Sequence, residues 1–189
     1  MKTAEILEEA LRVLKSGGLL LYPTDTVWGI GCDATDEAAV AKVFALKKRA
    51  DSKSLVLLAS DMDMIAKHVR QIPDIAIDLV EVNDKPMTII YPGAQYLAPN
   101  AVADDGSVGI RIPMNDFCVE LVRKFRKPVV STSANISGEP TPQTFDDIAP
   151  EIISGVDYVV DRSLERGSTG LASQIIKVEV DGQVKIIRP

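Results

Sequence analysis

The chain reads as one α/β or α+β domain, residues 1–189, built around a mixed sheet. Three observations lead there. Helical and strand-like patterns alternate early in the sequence and strands dominate late, the mark of a mixed rather than a purely parallel sheet. Hydrophobic residues make up 46% and charged residues 25%, enough to bury a real core within a length that suits one domain. No repeat and no low-complexity segment divides the sequence.

Leu7, Ala10, Leu11 and Leu14 recur at helical spacing, and Gly17-Gly18 supply the stop. "LLLY" (19–22) is a buried strand cut by Pro23. "TDEAAVAKVFALKK" (35–48) is a helix with Thr35 as its expected N-cap, acids in its first turn and lysines in its last. "SLVLLAS" (54–60) is a strand. Residues 61–83 are helical but interrupted by Pro73. "MTIIY" (87–91), "SVGIRIP" (107–113) and "PVVST" (128–132) are strands, with the helix "NDFCVELVRKF" between the second and third. "VDYVV", "ASQIIKVEV" and "QVKIIRP" close the chain as strands, and "VDGQ" (180–183) is a hairpin turn between the last two.

Composition excludes several functions. A formal net charge of -6 gives no overall attraction to polyanions, so nucleic-acid binding would need a local basic patch. Cys32 and Cys118 form no CxxC pair and His68 is the only histidine, which argues against a Cys/His zinc site and a histidine-based triad. These three read as packing or surface residues. The N-terminus is charged throughout, unlike a signal peptide, and no apolar run approaches the ~18 residues of a membrane span. The expected location is the cytoplasm.

Two apolar strands end in small polar side chains. "VVSTSANISGEP" (129–140) stops on Ser131, Thr132, Ser133 and Asn135, and "YPTDTVWGIGCDA" (22–34) places Thr24, Asp25 and Thr26 just beyond "LLLY". A turn explains either stretch; so does a ligand floor, because ligands of open α/β sheets sit at strand ends. Gly29, Gly31 and Ala34 also fit a dinucleotide G-x-G-x-x-A, but that fingerprint sets its glycines directly off the strand, and Pro23 intervenes. The alternative is a glycine-rich strand lying close to another backbone. Trp28 stacks on a base or fills the core. Lys47, Lys48, Arg49 and Lys53 crowd into "LKKRADSKS" (46–54), as a solvated helix end or an anion site. "RKFRKP" (123–128) is a second basic cluster, read as a solvated helix end. Arg111 lies inside the apolar "VGIRIP" (108–113) and requires a partner, either an acid of the chain or an anionic substrate group.

Taken together, "YPTDTVWGIG", "LKKR", "VGIRIP" and "STSANISGEPTP" in this order resemble the YrdC-like family, the threonylcarbamoyl-AMP synthases. The resemblance runs from about residue 5 to the C-terminus, and Lys47, Arg49, Ser133 and Asn135 match the family's K-x-R and S-x-N signature. It implies a twisted mixed sheet with flanking helices and a concave, positively lined groove. It also implies a reaction: L-threonine, bicarbonate and ATP give threonylcarbamoyl-AMP and pyrophosphate, for N6-threonylcarbamoylation of tRNA. On this resemblance Lys47, Arg49, Ser133 and Asn135 are the catalytic set. Thr24, Thr26, Thr88, Arg111, Ser131 and Ser173 hold ATP and threonine. Magnesium accompanies ATP, held mainly by its phosphates. Further partners implied are downstream tRNA-modification proteins and weakly bound tRNA or double-stranded RNA.

The sequence departs from the family's pattern at three places. "NDKPMT" (83–88) keeps Pro86 and Thr88 of the usual PGPxT but loses its glycine. Ala50 stands where proline usually follows Arg49, and Gln174 follows Ser173 where threonine is usual. A non-catalytic RNA-binding paralogue, like the YciO branch, is the alternative, against which Asn135 favours the synthase. The end at "IIRP" suits the short, single-domain type.

Overall fold

The computed structural model describes residues 2–49 and 55–189. Helix α1 (Thr3–Lys15) buries Ile6, Leu7, Ala10, Val13 and Leu14, and the chain leaves it through Gly17 at φ 72, a left-handed turn that glycine takes without strain. Strands β1 (Leu20–Pro23) and β2 (Trp28–Gly31) form an antiparallel pair buried along its whole length. Helix α2 (Glu37–Lys47) is capped by Asp36, whose carboxylate accepts from Ala38 N and Ala39 N. Thr35, the expected cap, commits its N–H and hydroxyl to the Asp33 carboxylate at 2.8 and 2.7 Å, so capping passes to the next residue.

Then follow β3 (Val56–Leu58), α3 (Met62–His68), α4 (Asp74–Val82), β4 (Met87–Tyr91), β5 (Val108–Arg111), α5 (Asp116–Phe125), β6 (Val129–Val130) and β7 (Thr132–Ser133). Helix α6 (Pro150–Ser154), β8 (Tyr158–Val159), β9 (Gln174–Val178) and β10 (Val184–Arg188) complete the chain. Pro73 separates α3 from α4, and the turn at 180–183 joins β9 to β10, as the sequence suggests.

Among the described residues the strands form two mixed sheets rather than one, in the orders β7-β2-β1-β8 and β10-β9-β4-β5-β3-β6. One stretch of chain serves both. β6 pairs with β3 through Leu57↔Val130 and Leu58↔Val129, and β7 pairs with β2 through Gly29↔Ser133 and Ile30↔Thr132. The second register runs on beyond the change of sheet, since Asp33 bridges Val129 and Val130 N donates to Cys32 O. Ser131, at the switch, donates its N–H to Val56 O at 2.8 Å. Residues 129–133 are therefore the seam between the sheets.

The seam leaves no room for side chains at its glycines. A Cβ on Gly31 would lie 2.5 Å from Tyr22 Cε1 and 2.8 Å from Val130 O; one on Gly29 would lie 3.2 Å from Ser131 Oγ. These glycines belong to a strand against which neighbours pack closely, which corrects the dinucleotide-loop alternative. Trp28 is buried and meets Phe145 edge-on at 5.0 Å, so it packs the core instead of stacking on a base. Replacing Gly31 with Ala is expected to cost about 1–3 kcal/mol by overpacking. A urea midpoint indistinguishable from that of the parent chain would show that Tyr22 yields freely.

Candidate functional site

A cleft of about 270 Å³ opens at the seam. It is bounded by the start of β2, the segment after α2, β3, β5, residues 131–133 and the last two strands. Six of the expected residues line it: Thr26, Arg49, Arg111, Ser131, Ser133 and Ser173. A larger groove of about 1020 Å³ lies between α1, α5 and residues 163–169. Its lining sets the acids Asp25, Asp84, Asp116 and Glu120 against Arg123 and Arg166, a net acidic balance, and includes none of the expected residues.

The other four expected residues stand behind the cleft wall and hold it in place. Lys47, far from being a solvated helix end, is 2% exposed. Its ammonium donates to Ser133 O, to Asn135 O at 2.7 Å and, at 3.5 Å, to Asn135 Oδ1. Ser137 N returns a bond to Lys47 O at 2.9 Å. Asn135 uses its amide hydrogens on Ile136 O and Glu139 O, at 3.0 and 2.8 Å. The expected direct donor is thus a brace of its own loop. Thr88 is fully buried and shares a 2.8 Å bond with Ser173 Oγ, fixing that hydroxyl in the wall. Thr24 is buried beneath Thr26, to which it bonds at 2.9 Å.

Burial and the nearby Arg49 charge pull the Lys47 ammonium down to about 8. Burial also lowers Arg49 from its ordinary value. Arg111, 4% exposed, meets Asp25 at 2.6 Å, and its second branch approaches Thr26 Oγ1 at 3.2 Å and Thr24 Oγ1 at 3.4 Å. Of the two partners open to Arg111, the acid of the chain is the one seen.

Arg188 escaped the sequence reading, and Asp25, marked there only as part of a polar strand end, gains its role from the fold. Arg188, near the end of β10, lines the cleft and donates from Nε and Nη2 to Ser173 O at 2.8 and 2.6 Å. "IIRP" carries the signal that singled out "GIRIP", an arginine closing an apolar strand. Asp25 sits inside "YPTDTV", and only the fold reveals its partner.

The surface clusters behave differently. Arg123 and Lys124 pair with Glu120, Lys127 with Asp33 and Lys48 with Glu151. Lys53 and Ala50 lie outside the described residues. Both cysteines are buried, and burial pushes their thiols up, Cys118 to about 12, so neither is a ready nucleophile. His68 is buried against Gln95 O at 3.3 Å, and desolvation lowers it.

The class of protein is an α/β chain with an arginine-bearing, hydroxyl-floored cleft at the joint of two mixed sheets, a lining whose chemistry suits small anionic groups. The chain belongs to the Sua5/YciO/YrdC family, whose model, described as "Telomere recombination", matches residues 12–189. It is 33% identical over 171 residues to a protein of Stenotrophomonas maltophilia named threonylcarbamoyl-AMP synthase, with 89% of each chain covered. A solved structure of P. abyssi Sua5 complexed with L-threonine superposes with a TM-score of 0.82 at 25% identity, over 94% of this chain. This chain covers 52% of that one, about half its length. E. coli YciO shares the fold, with a TM-score of 0.80 at 20% identity over 99% of this chain and 89% of that one.

Lys47 supplies a pH test of the geometry. From about pH 8 to 10.5 an unfolded lysine keeps its proton and the buried one has lost it. The unfolded state then binds more protons, so stability attributable to this group rises with pH across that window and is flat below it. The stability difference between the parent chain and Lys47→Met should follow this course in denaturant titrations. A difference that is flat from pH 7 to 10.5 would contradict it.

Proposed function

We propose that this chain is a threonylcarbamoyl-AMP synthase, making threonylcarbamoyl-AMP and pyrophosphate from L-threonine, bicarbonate and ATP for the N6-threonylcarbamoyladenosine of tRNA. One observation carries the reading. Arg49, Arg111, Arg188 and the hydroxyls of Thr26, Ser131, Ser133 and Ser173 converge on one cleft, in a chain similar over most of its length to proteins of that name. The likeness to a Sua5 chain solved with L-threonine supports threonine as the amino acid.

The chemistry asks for such a site. The free amine of threonine bonds to the bicarbonate carbon as one C–O bond of bicarbonate breaks; the departing hydroxyl takes a proton from the nitrogen and leaves as water, and the product is a carbamate. A carbamate oxygen then bonds to the α-phosphorus of ATP as the bond to the β-phosphoryl oxygen breaks, and pyrophosphate leaves with that electron pair. Two anions must meet, so preorganised cations and donors facing the cleft lower the barrier. Arg49 and Arg188 offset phosphate charge. Ser131 and Ser133 donate without adding charge. Lys47 and Asn135 act at one remove, by fixing residues 133–139. Magnesium enters as part of MgATP, held chiefly by the phosphates. The product passes to downstream tRNA-modification proteins, and the setting is the cytoplasm. No helix among the described residues is long and apolar enough to cross a membrane.

The rival reading, a non-catalytic RNA module, draws less support. At 123–127, Arg123, Lys124 and Lys127 are tied to carboxylates and Lys48 pairs with Glu151, which leaves Arg126 as the cation of that cluster without an ion pair among the described residues. Contact with tRNA or double-stranded RNA on this reading is weak and salt-dependent.

Pyrophosphate release with threonine, bicarbonate and ATP tests the proposal directly. Threonine should exceed serine by roughly 10–200-fold in kcat/KM, since a buried methyl is worth ~1–3 kcal/mol, and valine, lacking the hydroxyl, should be poorer still. Arg49→Ala should lower turnover by roughly 10²–10³ in a folded protein. Release that ignores the amino acid would sink the assignment.

A further inference from the structure

We infer that Asp25 is a positioning residue of the reaction, fixing both the plane of the Arg111 guanidinium and the direction of the Thr26 hydroxyl in the cleft. The inference rests on the proposed synthase reading for its kinetics, but its geometry stands apart from it.

Asp25 is 4% exposed and both its oxygens are engaged. Oδ1 accepts from Arg111 Nη1 at 2.6 Å, and Oδ2 accepts from Met114 N at 3.0 Å. The carboxylate therefore ties the β1–β2 connection to the end of β5 and to the backbone just beyond it. Arg111 Nη2 turns to Thr26 Oγ1 and Thr24 Oγ1. Among the described residues, the three consecutive residues 24–26 thus supply every side-chain acceptor of this arginine. A guanidinium is planar, so contacts on two branches fix its plane and leave its remaining N–H bonds pointing in set directions.

Hydrogen counting extends the argument to Thr26. Thr24 Oγ1 gives its single hydrogen to Val27 O at 2.7 Å. In the 2.9 Å contact between the two hydroxyls the donor must then be Thr26; with Thr26 N donating at 3.1 Å the two lone pairs of Thr24 are filled, and the 3.4 Å approach of Arg111 Nη2 to Thr24 is secondary to its bond with Thr26. Arg111 Nη2 donates to Thr26 Oγ1 from the other side. Thr26, which lines the cleft, therefore faces it as an acceptor, beside the donors of Arg111. Asp25 also cancels the Arg111 charge, so this part of the cleft is polar and directional without a net cation. Such a surface suits an amino acid, with N–H donors and one carboxylate, better than a polyphosphate, which Arg49 and Arg188 serve.

Asp25→Asn keeps the shape but puts two donors against either Arg111 Nη1 or Met114 N–H, so the orientation is lost. In the full-length protein this variant should lose about 10²-fold in kcat/KM for threonine, the scale of an ångström-sized misplacement. KM for ATP should stay within about threefold. Arg111→Lys, which keeps the charge pair but not the second branch, should lose a similar factor, and the double variant little more. A folded Asp25→Asn enzyme with unchanged threonine kinetics, or with equal losses for both substrates, would overturn the inference.

A second measurement needs no substrate. Proton–nitrogen NMR of the arginine side chains should give slowly rotating, distinct Arg111 Nη–H signals in the parent chain, assigned by their loss in Arg111→Lys. In Asp25→Asn these signals should average. Averaged signals already in the parent chain, or unchanged signals in Asp25→Asn, refute the positioning role. Slow rotation abolished by Asp25→Asn in a protein that releases no pyrophosphate would uphold the orientation of Arg111 by Asp25 and defeat the synthase reading together with the kinetic part of the inference. If Asp25→Asn fails to fold, the parent spectrum and the Arg111→Lys kinetics decide.

Discussion

The pairing of residues 129–133 with β2 on one edge and with β3 on the other is the constraint from which the site follows. Five residues serve two sheets, so each sheet receives only a short strand and the chain must change partners at Ser131. Twisted sheets sharing one strand diverge beyond the junction, and a cleft opens there. The strand ends that reach it bring the short hydroxyl side chains of Ser131, Thr132 and Ser133 and the guanidinium groups of Arg111 and Arg188. The bare Cα positions of Gly29 and Gly31 bring β2 close enough to hold the register.

Electrostatics divides cleft from surface. The surface cations at Arg123, Lys124, Lys127 and Lys48 face carboxylates, and their charge is largely cancelled. Lys47 and Arg188 instead donate to neutral oxygens of residues 133, 135 and 173. A carbonyl satisfies a donor without removing its charge, so an acidic protein of net charge -6 keeps a positive cleft. The cost appears at Lys47, where burial holds the ammonium near pH 8. Arg111 follows the opposite rule, with Asp25 as a true counter-ion, and so divides the cleft into a charged part and a neutral, directional part.

The order of supports also explains why four expected residues do not line the cleft. Lys47, Asn135, Thr88 and Thr24 each bond to, or brace the loop of, a residue that does. A motif marks what a site requires, and a site requires the residues that hold its surface as much as the surface itself.

The sequence alone determined most of the elements, though not α6 or the break between β6 and β7, because most rest on local rules. Helical spacing in α1 and α5, the proline between α3 and α4 and the 180–183 turn involve neighbours a few residues apart. It also marked the polar strand ends, since short hydroxyl side chains closing an apolar run are visible without a fold. What only the tertiary structure decided are the pairings across 85 residues or more: Arg111 with Asp25, Lys47 with Ser133 and Asn135, Thr88 with Ser173. No periodicity encodes which of the 27 acids meets a buried arginine. Nor could the change of sheets at Ser131 be read in advance, because a hydrogen-bonded backbone pairs equally well with either neighbour, and the close packing of Tyr22 and Val130 on Gly31 chose between them.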